Sequence, residues 1–470
     1  MKSAILLLLF LGVATSSNAY AYLDPASGNA IVSFFIALFG SAIFFAKSVF
    51  YRLFSRTSVT PASGGGATDE HLMPLIFSEG KTYWTTFRPV VEEFIRREIH
   101  FRYISLDVHD PGLMIDSVYM HSRRISNNRL GFAKIANLRA SVMLSTTPNI
   151  GSEGYPMDRP AGVQNLVHVF HAMVDLSCYR KGSLDFYDSV LMVGAHEESA
   201  IRLVEEARSL PEKNLIVAGL PCLDDLNRQK RETHSEAVVD EKAGTTVLIA
   251  PSWGAKGCFS EYGTGFIKTL SAANYHVIIR LHPHSRIFEP ESVERWLAET
   301  RDVENVVWDD NTFGTQAMAQ ADILISDASS IRFDFAFLYE KPVISLPISR
   351  ESRSIFEGDY MPETWADKVS EEIGVVAGPE KLATIDGVVQ EAIDHFTPER
   401  LAELRDRYVA NFDNSAAVIV EYLRLQAELL SMTPEEQSLV EQVATLKAEV
   451  KDLQDKLHQA EASGFKAVSG

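Results

Sequence analysis

Apolar positions crowd the start of the chain and then settle into short runs alternating with helical periods. Met1 and Lys2 precede an unbroken apolar run over 4–14, followed by Ala19-Tyr20-Ala21. A basic end, a short apolar stretch and a small-residue site are the parts of a secretory signal. Residues 1–21 are therefore expected to be a signal peptide or a first membrane segment, with cleavage after Ala21. A second apolar stretch covers 28–50. Its uncharged part, about 19 residues, would rise about 28 Å as a helix, enough to cross a bilayer. Lys47, Arg52 and Arg56 follow, with no acid before Asp69. That bias predicts a transmembrane helix whose C-terminal side is cytoplasmic.

Residues 57–70 include Pro61-Ala-Ser-Gly-Gly-Gly-Ala-Thr68 and read as a flexible linker. Beyond it the pattern predicts strands at 75–77, 101–106, 140–144, 166–170, 189–193 and 215–218. Helices follow the first strand to about residue 98 and fill 196–208. A polar break at 232–244 precedes a second series. There the strands are 246–250, 276–281, 306–308, 323–326 and 343–346, with helices at 263–274, 291–300, 315–321 and 330–339. Such alternation builds α/β, doubly wound parallel sheets. We expect two Rossmann-like domains, 71–231 and 244–396, facing a cleft, then a helical segment at 397–431. A heptad occupies 434–462, with Val443, Val450 and Leu457 at a and Leu439, Leu446 and Leu453 at d. β-branched residues at two of the three a positions with leucine at d favour a parallel dimer, so the expectation is a homodimer through a C-terminal coiled coil, the alternative being an amphipathic helix packed on its own domain.

Composition narrows the function. The 470 residues carry 44 Lys+Arg and 63 Asp+Glu, a net charge of −19. Nucleic-acid binding needs a basic footprint, so nucleic acid is not an expected partner. Between positions 81 and 139 the balance reverses, with 10 Lys/Arg against 6 Asp/Glu. That suits a domain held beside an anionic membrane surface. Cys178, Cys222 and Cys258 have no C-x-x-C spacing and read as small buried residues, and no metal site is expected.

Ligands of open α/β sheets bind beyond the strand C-termini, so residues there carry the candidate chemistry. His171 follows the 166–170 strand and can exchange a proton near neutral pH. His168 lies within the strand and reads as core. Arg280 and His282 end the 276–281 strand, a cation and an imidazole suited to an anionic ligand. The densest signal is Asp322-Ile-Leu-Ile-Ser326-Asp327-Ala-Ser329-Ser330-Ile-Arg-Phe-Asp334. A buried strand turns there into a helix whose start gathers hydroxyls, backbone N–H groups and the dipole, as phosphate binding requires. Asp334 follows one turn later and could orient a ribose hydroxyl or an imidazole. Asp327 or Ser329 could equally serve as an N-cap. Asp309-Asp310 is read as a loop cap. A G-x-x-x-x-G-K-[ST] loop is absent, which excludes a P-loop ATPase.

Taken together, Val-Leu-Ile-Ala-Pro251-Ser-Trp253, Ile-Ile-Arg280-Leu-His282-Pro283, the 322–334 segment and Lys341-Pro342-Val-Ile resemble the CDP-glycerol glycerophosphotransferases of teichoic-acid-type polymer synthesis. Phe170-His171 stands where that family has His-Gly-Thr-Pro, here continued by Ala172-Met173-Val174. Gly219-Leu-Pro221-Cys-Leu-Asp224 is similar to its Gly-x-Pro-Arg-x-Asp turn, with Cys222 in place of the arginine.

The resemblance implies a GT-B-like fold, with the acceptor on the first domain and the nucleotide-activated donor on the second. His171 would be the base and His282 would assist the leaving group. Pro251, Trp253, Arg280, Ser326, Asp327, Ser329, Ser330 and Asp334 would line the donor site. The donor would be CDP-glycerol or a similar CDP-alcohol, used without a cofactor. The acceptor would be a lipid-linked or glycan hydroxyl. With the apolar segments and basic flank described above, the expectation is a bacterial cytoplasmic membrane protein, single-pass after signal cleavage, with its catalytic part in the cytoplasm. Two other readings stay open: a GT-B glycosyltransferase using a nucleotide sugar, and a non-catalytic membrane scaffold carrying a degenerate transferase domain.

Overall fold

Short runs of Val, Ile, Leu and Phe, each closed by a turn, assemble into two parallel sheets. The computed structural model describes residues 72–236, 244–254, 257–311, 314–348, 356–361 and 364–433, with 435, 436 and 438. The first sheet comprises β1 (Leu75–Ser78), β2 (Phe101–Ser105), β3 (Met120–Arg124), β4 (Arg139–Ser145), β5 (Gly162–Val169), β6 (Ser189–Met192) and β7 (Asn214–Val217). Its order is β3-β2-β1-β4-β5-β6-β7. The second comprises β8 (Thr246–Ala250), β9 (His276–Ile279), β10 (Val306–Trp308), β11 (Ile323–Ser326), β12 (Val343–Ser345) and β13 (Gly374–Val376). Its order is β10-β9-β8-β11-β12-β13. Both contain the 3-2-1-4-5-6 order of a Rossmann-like sheet, which reverses direction beside the first strand of each half.

The two-residue period of the strands decides which core each side chain joins. Ile76, Phe101, Tyr103, Val142, Leu144, Val167 and Val169 share one face of the first sheet. The Trp84–Arg96 helix lays Phe87, Val90, Val91 and Phe94 onto it, spaced to lie on one helical face. The opposite face packs Phe77, Leu166 and Val190 into one core with Leu248, Leu324, Phe333 and Phe337 of the second half. In β8 the alternation is plain: Leu248 and Ala250 join this shared core, while Val247 and Ile249 join a core private to the second half.

The chain then returns to the first half. After the Pro398–Tyr408 helix, the Ala410 N–H donates to the Val193 carbonyl at 2.9 Å. Gly219, at φ 95°, lets this turn approach, because a Cβ there would lie 2.3 Å from the Ala410 oxygen. Asp224 accepts from the Asp413 and Ser415 N–H groups at 2.8 and 2.9 Å, fixing the start of the Ser415–Ser431 helix. Ile419, Val420 and Leu423 of that helix complete the first-half core. A second crossing is the 356–361 segment, which pairs Phe356 with Arg180 and places Glu357 on the Gly182 N–H at 2.8 Å. Lys181 and Asp359 close it with a 2.6 Å ion pair.

Several expectations change. The helical segment at 397–431 is two helices, broken at Val409–Asn414, where Asn411 and Asp413 take positive φ. β3 and β13 were not foreseen. Cys222 and Cys258 are buried as expected, but Cys178 is exposed beside the crossing segment. Among the described residues no helix is long and apolar enough to cross a membrane. The 1–21 and 28–50 segments, the 57–70 linker and the heptad leucines and valines of 434–462 all lie outside the described residues.

Candidate functional site

Each sheet presents a crest of strand ends, and the sequence-predicted residues divide between the two. On the first, β5 ends at Val169, Phe170 is buried, and His171 emerges partly exposed. Its Nδ1 lies 3.1 Å from the Thr146 hydroxyl just beyond β4. The Tyr83 ring stands edge-on to the imidazole at 5.3 Å. Nε2 has no hydrogen-bond partner among the described residues. Burial lowers the His171 pKa from its ordinary value, so the ring is neutral and able to accept a proton at pH 7. His168 is core, as expected. It is fully buried among Phe170, Tyr179 and Tyr187, and burial drives its pKa down to about 3.

The first crest also holds residues that sequence reasoning missed. Glu79 follows β1 and accepts from the Tyr155 hydroxyl at 3.2 Å. Burial raises its pKa, against hydrogen bonds from Thr147 and then Tyr155. The Tyr83 hydroxyl is pushed up by burial and then by the Glu79 charge. Tyr155 is 76 residues from Glu79, and the strand order β1-β4-β5 brings it and His171 to the Glu79–Tyr83 turn.

On the second crest, β9, β8 and β11 are neighbours, which brings three predicted segments together. Asp327 is 1% exposed and takes the Ser252 N–H at 3.0 and 3.1 Å and the Cys258 N–H at 2.9 Å. It thereby anchors the loop after β8 that carries Pro251 and Trp253. The buried Ser326 hydroxyl donates to the Ala250 carbonyl at 2.6 Å, tying β11 to β8. Trp253 is 44% exposed, with its ring 6.2 Å from His282 and 5.3 Å from Phe288. His282 Nδ1 accepts from the His284 N–H at 3.1 Å. Burial, then the neighbouring His284, lowers the His282 pKa.

Ser329 and Ser330 lead into the Ile331–Tyr339 helix, and the Ser330 side chain makes no cap hydrogen bond. Behind this turn Arg332 is buried. It donates to the Ser345 and Ser370 hydroxyls at 3.1 and 2.7 Å, and burial lowers its pKa to about 10. A buried cation and a helix start both favour an anion at this crest.

Two predicted residues are engaged elsewhere. Arg280 pairs with Asp309 at 2.7 Å and donates to the Asn311 carbonyl at 2.9 Å. Asp309 is thus an arginine partner and turn former, its other oxygen accepting from the Asn311 N–H at 3.1 Å. Asp334 lies beside Cys222, in the junction of the two halves, with Oδ1 buried and unpaired. Burial raises its pKa to about 7. Among the described residues no group of His, Cys, Asp and Glu could hold a metal ion.

Residues 177–371 match the family model described as CDP-Glycerol:Poly(glycerophosphate) glycerophosphotransferase. The wall teichoic acid polymerase TagF superposes with a TM-score of 0.52 at 15% identity, covering 84% of this chain and 99% of that one. UDP-GlcNAc 2-epimerase from Neisseria meningitidis, bound to UDP-GlcNAc, gives 0.51 at 14% identity, covering 75% of this chain and 99% of that one. The epimerase of Rickettsia bellii gives 0.50 at 12% identity, covering 77% and 99%. At these identities the structures establish a shared fold. No curated protein matches the sequence. The 251–253, 280–283 and 322–334 motifs thus lie within the stretch that is similar to the CDP-glycerol glycerophosphotransferase family, and the chain has a GT-B-like fold of two Rossmann-like halves.

Proposed function

We propose that this enzyme transfers glycerol phosphate, or a similar alcohol phosphate, from a CDP-activated donor to a hydroxyl of a lipid-linked or glycan acceptor in cell-surface polymer synthesis. The observation that carries the reading is the pairing of two crests. One holds a neutral histidine fixed through Nδ1. The other holds an aromatic and imidazole cluster beside a helix start backed by a buried arginine.

In this mechanism His171 Nε2 takes the proton of the acceptor hydroxyl. The freed oxygen attacks the phosphorus that bears glycerol. The bond from that phosphorus to the bridging oxygen breaks, and CMP leaves with the electron pair. His282 gives the leaving phosphate a proton or a hydrogen bond. The Ser329-Ser330 turn stabilises the charge that grows on the pyrophosphate. Trp253 offers a stacking surface to the donor. No covalent intermediate and no cofactor are needed.

The same reading places the enzyme on the bacterial cytoplasmic membrane through 28–50, with its catalytic part in the cytoplasm, and pairs two copies through the heptads at 434–462. Its support is the apolar length, the basic flank and the a/d pattern of the sequence.

The test is a donor panel. The purified full chain is incubated with CDP-glycerol, CDP-ribitol, UDP-sugars and GDP-sugars, and the released nucleotide is identified. CMP release from a CDP-alcohol is expected. UDP release without CMP would identify a glycosyltransferase, and inertness toward every donor would identify a scaffold.

A further inference from the structure

The first crest carries a carboxylate that the mechanism above does not use. Glu79 follows β1, Thr146 and Thr147 follow β4, and His171 follows β5. The register aligns Phe77 with Ser145 and Ser145 with His168, so continuing it by two residues sets Glu79 and Thr147 level with Phe170, one residue before His171. Two strand spacings separate the outer positions, about 10 Å of backbone. Tyr83 bridges the interval, its ring against His171 and its hydroxyl raised in pKa by burial and the Glu79 charge. Tyr155 donates to Glu79 from the other side. Among the described residues, Glu79 makes no ion pair with Lys or Arg.

A half-buried carboxylate without a counter-cation, held by neutral hydroxyls of Thr147 and Tyr155, suits one kind of ligand group. It accepts strongly from hydroxyls and repels phosphates. Its spacing from His171 fits a short polyol or a sugar edge laid across β4.

Resting on the reaction proposed above, we infer that Glu79 is an acceptor-binding residue: it accepts a hydrogen bond from a second acceptor hydroxyl while His171 receives the proton of the reacting one. The acceptor class is then a neutral diol or sugar terminus, not a terminal phosphate and not an isolated alcohol. Tyr155 positions the Glu79 carboxylate.

The test compares two soluble probes with the full chain and CDP-glycerol: 1-O-octylglycerol, which has two hydroxyls, and 2-octyloxyethanol, which has one. The wild type is expected to favour the diol about tenfold or more in kcat/KM, the worth of one hydrogen bond to a charged acceptor. Glu79→Ala should erase that preference chiefly by raising KM for the diol. Glu79→Gln, which keeps an acceptor oxygen, should retain part of it, and Tyr155→Phe should weaken it. Melting temperatures confirm that each variant folds. A wild type indifferent to the second hydroxyl, or a Glu79→Ala enzyme that keeps the full preference, would overturn the inference. CMP released from both probes without discrimination refutes only this inference. Absence of CMP with either probe, together with its absence across the donor panel, refutes the reaction itself.

Discussion

Replacing Asp327 by Asn tests whether the donor crest is held together from beneath. The carboxylate is 1% exposed, and both of its oxygens accept backbone N–H groups of the loop after β8. The buried Cys258 thiol also donates to it. Asn keeps one acceptor oxygen and turns an NH₂ toward the other donors. At least one charge-assisted hydrogen bond is lost, and a buried N–H is left facing another donor. Such bonds are worth about 1.5–3 kcal/mol each, so the expected cost is about 2–4 kcal/mol. The two halves share one core, and at about 2.1 cal/mol/K per residue a body that spans 72–433 then falls by about 3–5 °C in melting temperature. The loop also carries Trp253, so KM for CDP-glycerol should rise in the same variant. Thermal melting and donor kinetics on the full chain read both effects. A variant that melts like the wild type while its donor KM rises would refute the anchoring role and make Asp327 a direct donor ligand.

Thr146→Val removes the hydroxyl that holds His171 Nδ1 at 3.1 Å; kcat should fall about tenfold or more through lost orientation of the base, as steady-state kinetics would show. His168, with a folded pKa near 3 against an ordinary 6.5, binds its proton later in the folded state than in the unfolded one. Stability is therefore lost as pH falls below 6.5, by about 2 kcal/mol at pH 5, and His168→Phe should remove that part of the acid sensitivity in melts at pH 7 and pH 5. Glu197 is fully buried, and burial raises its pKa to about 8, against the Val193 N–H hydrogen bond. Its stabilising contribution is complete below about pH 4.5 and is lost as pH rises through 8. Glu197→Gln should therefore be more stable than wild type at pH 9, by up to about 5 kcal/mol, with the gap closing by pH 4.

The second half was legible because its strands are continuous apolar runs closed by turns. The expected 246–250, 306–308 and 323–326 strands coincide with β8, β10 and β11 to the residue. β3 escaped because Met120–Arg124 is an edge strand with four of its five residues exposed, and it shows no apolar period. The break at 409–414 escaped because apolar and charged residues on both sides keep a helical rhythm. The Asn411 and Asp413 turn that interrupts it is set by contacts to Val217, Ala218 and Asp224. Among site residues, the motif placed Trp253, His282 and the Ser329-Ser330 turn on one crest. It did not reveal that Asp327 and Ser326 face inward, or that Arg280 turns to Asp309, since these depend on which strand lies alongside. Glu79 was illegible for the same reason: in sequence Ser78-Glu79-Gly80 is a turn, and only the β1-β4-β5 order brings it to the strand crest that carries His171.

In the proposed reaction, CDP-alcohol chemistry runs between the two crests with His171 as base. A ³¹P NMR time course with the full chain, CDP-glycerol and 1-O-octylglycerol tests it most directly. The account predicts that the pyrophosphate resonances give way to equal amounts of CMP and a new phosphodiester. It also predicts that His171→Ala slows this conversion by about 10² or more. An unchanged CDP-glycerol spectrum, or a His171→Ala enzyme that forms the phosphodiester at the wild-type rate, would contradict it.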